Sequence, residues 1–159
     1  DVYQLVTAQS GKQVFSETHL LLKDRTQLLL SERFSKQDSA VFMIASCPSK
    51  VNIPLNLTFT KAETPSDTNS NCIFVDEETI QFPLQIRKWH VGDCFYPTGM
   101  SGKKKLSKYF KDEKYSLLDK ENQWLLCTEN QIIWVIGKRA DHRFIATETT
   151  QQIIKIDLA

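Results

Sequence analysis

The sequence is poor in glycine and in closely spaced cysteines, and both shortages narrow the functions it can have. It holds five glycines among 159 residues, no two of them adjacent, whereas nucleotide-phosphate loops need glycine-rich turns that open a helix. Its four cysteines form no CxxC pair, which argues against a disulfide framework or a zinc ribbon. We therefore expect reduced, mostly buried cysteines.

Long apolar runs and clustered histidines are also missing. No stretch approaches the ~20 apolar residues that cross a bilayer, and no segment resembles the apolar part of a signal peptide. The three histidines lie far apart, and His90 with Cys94 gives two ligands where a zinc site needs three or four. We expect a cytoplasmic protein with no membrane partner, no metal and no catalytic residue in this chain.

What the sequence does contain is an uneven distribution of charge around a net charge of +1. Residues 87–120 hold nine basic and four acidic side chains, a local net charge of +5. Residues 61–80 hold one lysine and five acidic side chains, a local net charge of −4. The distribution predicts a basic face and an acidic loop, and it says more about partners than the total charge does.

Strand patterns dominate the chain. Apolar residues alternate from Val51 to Phe59 and from Ile80 to Ile86, which is the period of a half-buried strand. Pro54 and Pro83 suggest an edge position or a bulge. Residues 128–130 are typical of a hairpin turn. Many short strands predict a mainly β fold with one or two short helices. Further apolar runs are Ser39–Ala45, Cys72–Val75, Trp124–Cys127, Ile132–Ile136, Phe144–Ala146 and Ile153–Ile156.

Two segments depart from the strand pattern. Ser16–Lys23 fits a short helix capped by Ser16. The leucine run that follows at 28–30 fits a buried strand as well as it fits a helix. The segment Lys103–Lys114 predicts a clearer helix with an apolar face and a basic face. The apolar face would carry Leu106, Tyr109 and Phe110, and the opposite face Lys104, Lys108 and Lys111.

The turn before this helix is the most concentrated pattern in the chain. It contains three of the five glycines, Gly92, Gly99 and Gly102, together with Pro97, so another backbone can approach it closely. Helix amides beside lysines would suit phosphate groups. Lysines neutralise phosphates without reading bases, so the binding would be sensitive to salt. On composition alone, a lysine-rich helix is more often a solvated surface, and that alternative stays open.

The spacing of these residues resembles the C-terminal domain of bacterial tRNA(Ile)-lysidine synthetases of the Bacteroidetes type. The first block comprises Gly92-Asp93, Phe95, Pro97, Gly99-Met100, Gly102, Lys104-Lys105-Leu106-Ser107, Phe110 and Lys114. The second block comprises Ile133-Trp134-Val135, Gly137, Arg139, Asp141 and Arg143-Phe144. A weaker likeness covers residues 10–12 and 19–25.

The resemblance implies a layered β-sandwich of unusual topology, shared with a domain of the phenylalanyl-tRNA synthetase β subunit. We expect residues 1–15 to be a linker and residues 16–159 to be one tRNA-binding domain, with its signature in residues 86–159. The expected partner is the acceptor stem of tRNA(Ile). The alternative is a protein-interaction or domain-docking module without RNA contact.

The resemblance also implies a parent enzyme that uses ATP and lysine to convert cytidine 34 of a CAU-anticodon tRNA to lysidine. Catalysis, with ATP and Mg, would belong to an N-terminal domain outside this chain. That domain would be a partner of this one, and we leave open whether the enzyme forms a homodimer. This chain itself is expected to hold no cofactor.

The predicted site has two sets of residues. Leu117, Asn122 and Trp124 stand where many relatives carry arginines and a proline, which puts phosphate contacts from that part of the site in doubt. Arg139 and Arg143 could pair internally with Asp141 instead of contacting RNA. The structural turn would consist of Gly92, Asp93, Pro97, Gly99 and Gly102. The RNA contacts would come from Lys103, Lys104, Lys105, Lys108, Lys111, Lys114, Arg139 and Arg143.

Overall fold

The computed structural model describes residues 1–32 and 40–159 and shows a mainly β protein with a few short helices. The helices are α1 (Val2–Val6), α2 (Leu106–Asp112) and α3 (Leu117–Asn122), with a 3-10 turn at Glu77–Thr79. The strands are β1 (Gln13–Phe15), β2 (His19–Asp24), β3 (Gln27–Glu32), β4 (Phe42–Ile44), β5 (Lys50–Val51), β6 (Leu57–Ala62), β7 (Cys72–Asp76), β8 (Leu84–Lys88), β9 (Cys94–Phe95), β10 (Lys104–Lys105), β11 (Trp124–Thr128), β12 (Gln131–Val135) and β13 (Ile153–Leu158).

Two antiparallel four-stranded sheets form the body of the protein, in the orders β12-β11-β8-β4 and β5-β6-β13-β7. Alternate residues of each strand point to the same side. Ile86 and Leu126 of the first sheet and Phe59 and Ile156 of the second belong to one buried cluster. The sheets therefore pack face to face, which confirms the predicted β-sandwich.

Helix α2 adds a third layer on the outer face of the first sheet. Its residues Leu106, Tyr109 and Phe110 are buried and pack with Phe95 against the β11–β12 hairpin. This arrangement confirms the predicted apolar face. The helix is shorter than predicted, because it begins at Leu106, and residues 104–105 form β10 instead.

The N-terminal residues fold into a small unit of their own, a three-stranded sheet of β1, β2 and β3 with α1 against it. Leu5 of α1 and Leu22 of β2 are buried. The helix considered for Ser16–Lys23 is wrong, since alternating burial along β2 follows a strand period. Leu30 is 68% exposed, so β3 is a strand but not a buried one. The predicted linker, residues 1–15, contains α1 and β1, and the domain division at residue 15 stays a prediction.

Both predicted proline-containing strands are shorter than their alternating patterns suggest. The Val51–Phe59 strand is wrong as a single element, because the chain turns back between β5 and β6 and pairs Val51 with Leu57. The second strand begins only at Leu84, after Pro83. Proline lacks the amide hydrogen that a sheet ladder uses, and alternation alone does not show where a ladder ends.

Other predictions fared unevenly. The hairpin turn at 128–130 is confirmed, with Glu129 in the left-handed region (φ 50°). Residues 144–146 contribute only an isolated bridge between Val75 and Ile145, and Ser39 lies outside the described residues.

The four cysteines are free, but only Cys127 is buried. Burial raises the pKa of the Cys127 thiol to about 12. Among the described residues, no helix is long and apolar enough to cross a membrane.

Candidate nucleic-acid interface

Asp93 holds the turn that leads from the first sheet to α2. Its carboxylate accepts two hydrogen bonds from Arg87, at 2.9 and 3.0 Å, and one from the His90 amide at 2.7 Å. Its carbonyl oxygen accepts the Leu106 amide at 2.8 Å. Burial raises the pKa of Asp93, but the hydrogen bonds from Arg87 and the His90 amide outweigh it and leave that pKa below its usual value. Asp93 is therefore an ionised structural residue.

The glycine-containing turn does not form a phosphate loop. Gly99 and Gly102 lie in the left-handed region, with φ of 74° and 76°, and Gly102 leads into β10, which pairs with β9. A phosphate loop opens a helix directly. The first amide of α2, that of Leu106, donates to the Asp93 carbonyl, and Lys105 caps the helix without a side-chain hydrogen bond. The predicted phosphate site at this helix terminus therefore stays a prediction. The residues of this turn do not fit ATP.

Four exposed lysines surround α2, and we call them the lysine face. Lys108 and Lys111 lie on the helix, Lys105 is its N-cap, and Lys103 lies in the turn before it. The opposite side of the helix is buried, so packing against the protein core holds the helix backbone in place. An open depression of about 580 Å³ is lined by Met100–Lys105 and Lys108. The arrangement concentrates positive charge on one surface.

Lys104 differs from the lysine face, although it was predicted to act with it. Its Nζ lies 2.7 Å from a carboxylate oxygen of Asp112 and 6.0 Å from the centre of the Tyr109 ring. The hydrogen bond from Lys104 lowers the pKa of Asp112, and the charges of Lys108 and Lys111 lower it further. Lys104 is therefore partly neutralised by an acidic neighbour.

Asp141 organises the second block of predicted residues. It is fully buried, and its carboxylate accepts the Tyr96 amide at 2.9 Å and the Arg143 amide at 2.9 Å. The Arg143 side chain donates three more hydrogen bonds, two from Nε at 3.0 and 3.3 Å and one from Nη2 at 2.8 Å. The guanidinium also lies over the Tyr96 ring, 4.3 Å from its centre. Arg143 thus forms the internal ion pair that the sequence left open, and its contact with RNA stays a prediction.

Arg139 lies apart from Asp141 and enters a different environment. Its Nη1 donates to the carbonyl oxygen of Thr98 at 2.7 Å, which links β12 to the glycine-containing turn. Gly99 is close by, since a Cβ there would lie 3.4 Å from the same nitrogen. The sequence left open a pair between Arg139 and Asp141, and this pair does not form, because the guanidinium contacts Thr98 and borders a cleft. Contact of Arg139 with RNA stays a prediction.

This cleft, which we call the Arg139 cleft, has a volume of about 350 Å³. It lies between the loop 68–70, residues Tyr109 and Glu113 at α2, and residues 138–140 after β12. The charge distribution predicted an acidic loop within residues 61–80 and gave this loop no function. No local spacing could connect Asn69 with Arg139, because the two residues lie 70 positions apart in the sequence. Only the sheet topology brings them together.

Lys114 ends α2 and joins it to the N-terminal unit. It lies in the left-handed region (φ 57°), and the Tyr115 and Lys114 amides donate to the carbonyls of Phe110 and Lys111, the pattern of a Schellman motif. Its own carbonyl accepts a hydrogen bond from Arg25 Nη2 at 3.1 Å. The exposed Lys114 side chain extends the basic surface beyond the lysine face.

Comparisons with known families match most of the chain. Residues 1–33 match the model described as TilS substrate binding domain, and residues 84–158 match the model described as TilS substrate C-terminal domain.

Related proteins and one solved structure are also similar to this chain. A tRNA(Ile)-lysidine synthase of Parabacteroides distasonis is 37% identical over 99% of this chain and 36% of its own length. One of Bacteroides thetaiotaomicron is 35% identical over 97% of this chain and 34% of its own. The chain thus spans about a third of these relatives. A crystal structure of a TilS C-terminal domain matches with a TM-score of 0.61 at 19% identity, covering 74% of this chain and 95% of that one, which supports the fold.

Proposed function

Because the chain belongs to the tRNA(Ile)-lysidine synthase family and corresponds to its C-terminal part, we propose that it binds the acceptor stem of tRNA(Ile). The whole protein would then be a cytoplasmic enzyme that uses ATP and lysine to convert cytidine 34 to lysidine. ATP and Mg would bind in the part of the relatives that this chain does not span. The role of this chain would be to bind and position the tRNA, without catalytic residues of its own.

The observation that supports this proposal is the lysine face. Exposed ammonium groups that do not read bases suit a double-stranded stem, whose phosphates follow a regular path. The buried side of α2, with Tyr109 and Phe110 in the core, holds in place the backbone that carries Lys105, Lys108 and Lys111. A surface that is held in place loses less conformational entropy on binding than a flexible one.

A second candidate function, docking to another protein or domain, is favoured by a different surface. Val41, Met43 and Ile53 are 47%, 55% and 66% exposed beside β4 and β5. Exposed apolar patches often mark protein contacts. This surface involves other strands than the lysine face does, so a test of RNA binding separates the two functions.

The test is binding of an acceptor-stem minihelix to this chain at several salt concentrations. About four to six lysine–phosphate contacts predict a log–log salt slope of about −3 to −5. Replacing Lys105, Lys108 and Lys111 by glutamate should abolish measurable binding. The matched control variant has Lys50, Lys61 and Lys155, which lie on strands of the other sheet, replaced by glutamate. This variant should retain RNA binding. Equal losses in both triple variants, or in neither, would contradict the proposal.

A further inference from the structure

Most of the residues that line the Arg139 cleft are polar, and phosphate contacts by the lysine face leave the cleft unused. We propose that the cleft holds one unpaired nucleotide of the bound RNA, with Asn69, Glu113 and Arg139 contacting its base. This inference rests on the proposed function, because it takes RNA as the ligand. It adds a contact to a base edge where the lysines supply only contacts to phosphates.

The cleft lies next to the basic surface at α2. Tyr109 forms part of its wall, and Lys104 lies 6.0 Å from the centre of that ring. On the other side Lys138 is exposed, with its Nζ 5.7 Å from the centre of the Tyr115 ring. Cations thus border the cleft on two sides, so a nucleotide inside it could keep its phosphates near positive charge.

The polar groups of the cleft are held in place before any ligand binds. The hydrogen bond to Thr98 fixes one nitrogen of Arg139, and the Tyr109 hydroxyl is a second hydrogen-bonding neighbour of the guanidinium. The other N–H donors of the guanidinium remain for further partners. Asn69 is anchored at the start of β7 by backbone hydrogen bonds with Cys72 at 2.9 and 3.4 Å. Its side-chain oxygen accepts the Asn71 amide at 2.8 Å, which orients the amide group. Such preorganisation lowers the entropy cost of binding.

The chemistry of the cleft fits a base better than a phosphate. Glu113 borders the cleft, and its carboxylate would repel a phosphate but accept a hydrogen from an amino or imino group of a base. Arg139 and Asn69 supply donors for ring nitrogens and carbonyl oxygens. The volume of about 350 Å³ lies at the lower end of the range for small-ligand pockets. RNA-binding proteins commonly read unstacked bases through such hydrogen bonds.

The experiment compares two minihelices that share one duplex, one blunt and one with an unpaired 3′ tail. We expect this chain to bind the tailed RNA ~5–10-fold more tightly, the gain typical of one or two added hydrogen bonds. Asn69→Ala and Glu113→Gln should each remove most of that preference and leave affinity for the blunt duplex unchanged. Lys108→Ala, the control, should weaken both RNAs equally.

Three outcomes would overturn the inference. The unaltered chain could bind both RNAs equally, or both cleft variants could weaken the blunt duplex as much as the tailed one. A tail of abasic nucleotides could also retain the full preference, in which case the cleft would hold a phosphate and the base assignment would be wrong. Failure of both RNAs to bind at all would instead contradict the proposed acceptor-stem function.

Discussion

Two groups of charged side chains lie within one signature region and are held in opposite ways. Asp93 and Asp141, the turn-holding carboxylates, are each paired with an arginine and accept backbone amides as well. The lysine face consists of exposed side chains on and around α2. Ionised groups that are buried contribute to folding only while their partners are present, whereas exposed charges contribute little to stability. The two groups should therefore separate stability from binding.

The strongest test of this separation is Asp141→Ala. The substitution leaves the Tyr96 amide and the Arg143 side chain without their acceptor, in a site where Asp141 is fully buried. We expect the free energy of unfolding to fall by about 3–5 kcal/mol, measured by urea denaturation at neutral pH. Lys108→Ala should change it by less than about 0.5 kcal/mol. Similar losses in the two variants would show that the comparison is mistaken.

Asp93 predicts a dependence of stability on pH. Its pKa is lowered in the folded protein, so its contribution is present above the unfolded-state pKa of about 4. The contribution is lost as the pH falls through the lower folded-state pKa. Asp93→Asn should therefore remove about 1–2 kcal/mol at neutral pH, less than a fully buried pair would. The stability of the Asp93→Asn variant should also depend less steeply on pH below 4 than the stability of the unaltered protein does. Unfolding curves from pH 2 to pH 7 check this, and parallel pH profiles would refute it.

Lys108→Ala should affect RNA binding and leave folding unchanged. Loss of one phosphate contact should weaken minihelix binding ~2–5-fold at moderate salt and make the log–log salt slope shallower by about 1. Lys155→Ala, on the opposite sheet, is the control and should change neither quantity. An unchanged salt slope for Lys108→Ala would remove this residue from the proposed interface.

Lys114→Gly should have the smallest effect, and it should change both stability and RNA binding. Lys114 ends α2 in a left-handed conformation that glycine adopts without strain. We expect the variant to be more stable by about 0.5–1 kcal/mol and to bind the minihelix slightly less well. Thermal unfolding and binding isotherms measure the two changes. Loss of stability would show that the Lys114 side chain contributes to the fold.

Sequence patterns predicted the elements in which a short period determines burial. Leu106, Tyr109 and Phe110 are spaced by three and four residues and are all buried, because helix geometry brings such residues to one side. The same reasoning failed at Val51–Phe59, where alternation is real but the chain reverses between β5 and β6. Alternation reports which side a residue faces, and it does not report which strand is its hydrogen-bond partner.

The candidate site was predictable in its residue types but not in their pairing. The sequence pointed to eight basic residues, yet Lys104 pairs with Asp112 and Arg143 with Asp141. The Arg139 cleft was missed, because Asn69 and Arg139 are far apart in the chain and only the fold brings them together.

The sequence by itself determined the mainly β character, the buried side of α2 and the family resemblance, since these depend on local periods and spacings. The tertiary structure alone decided which charges hold the fold and which remain exposed for a ligand. The physical reason is that the energy of a charge depends on its burial and its partners. For Asp93, Asp141 and Arg139, burial and partners come from neighbouring strands and loops.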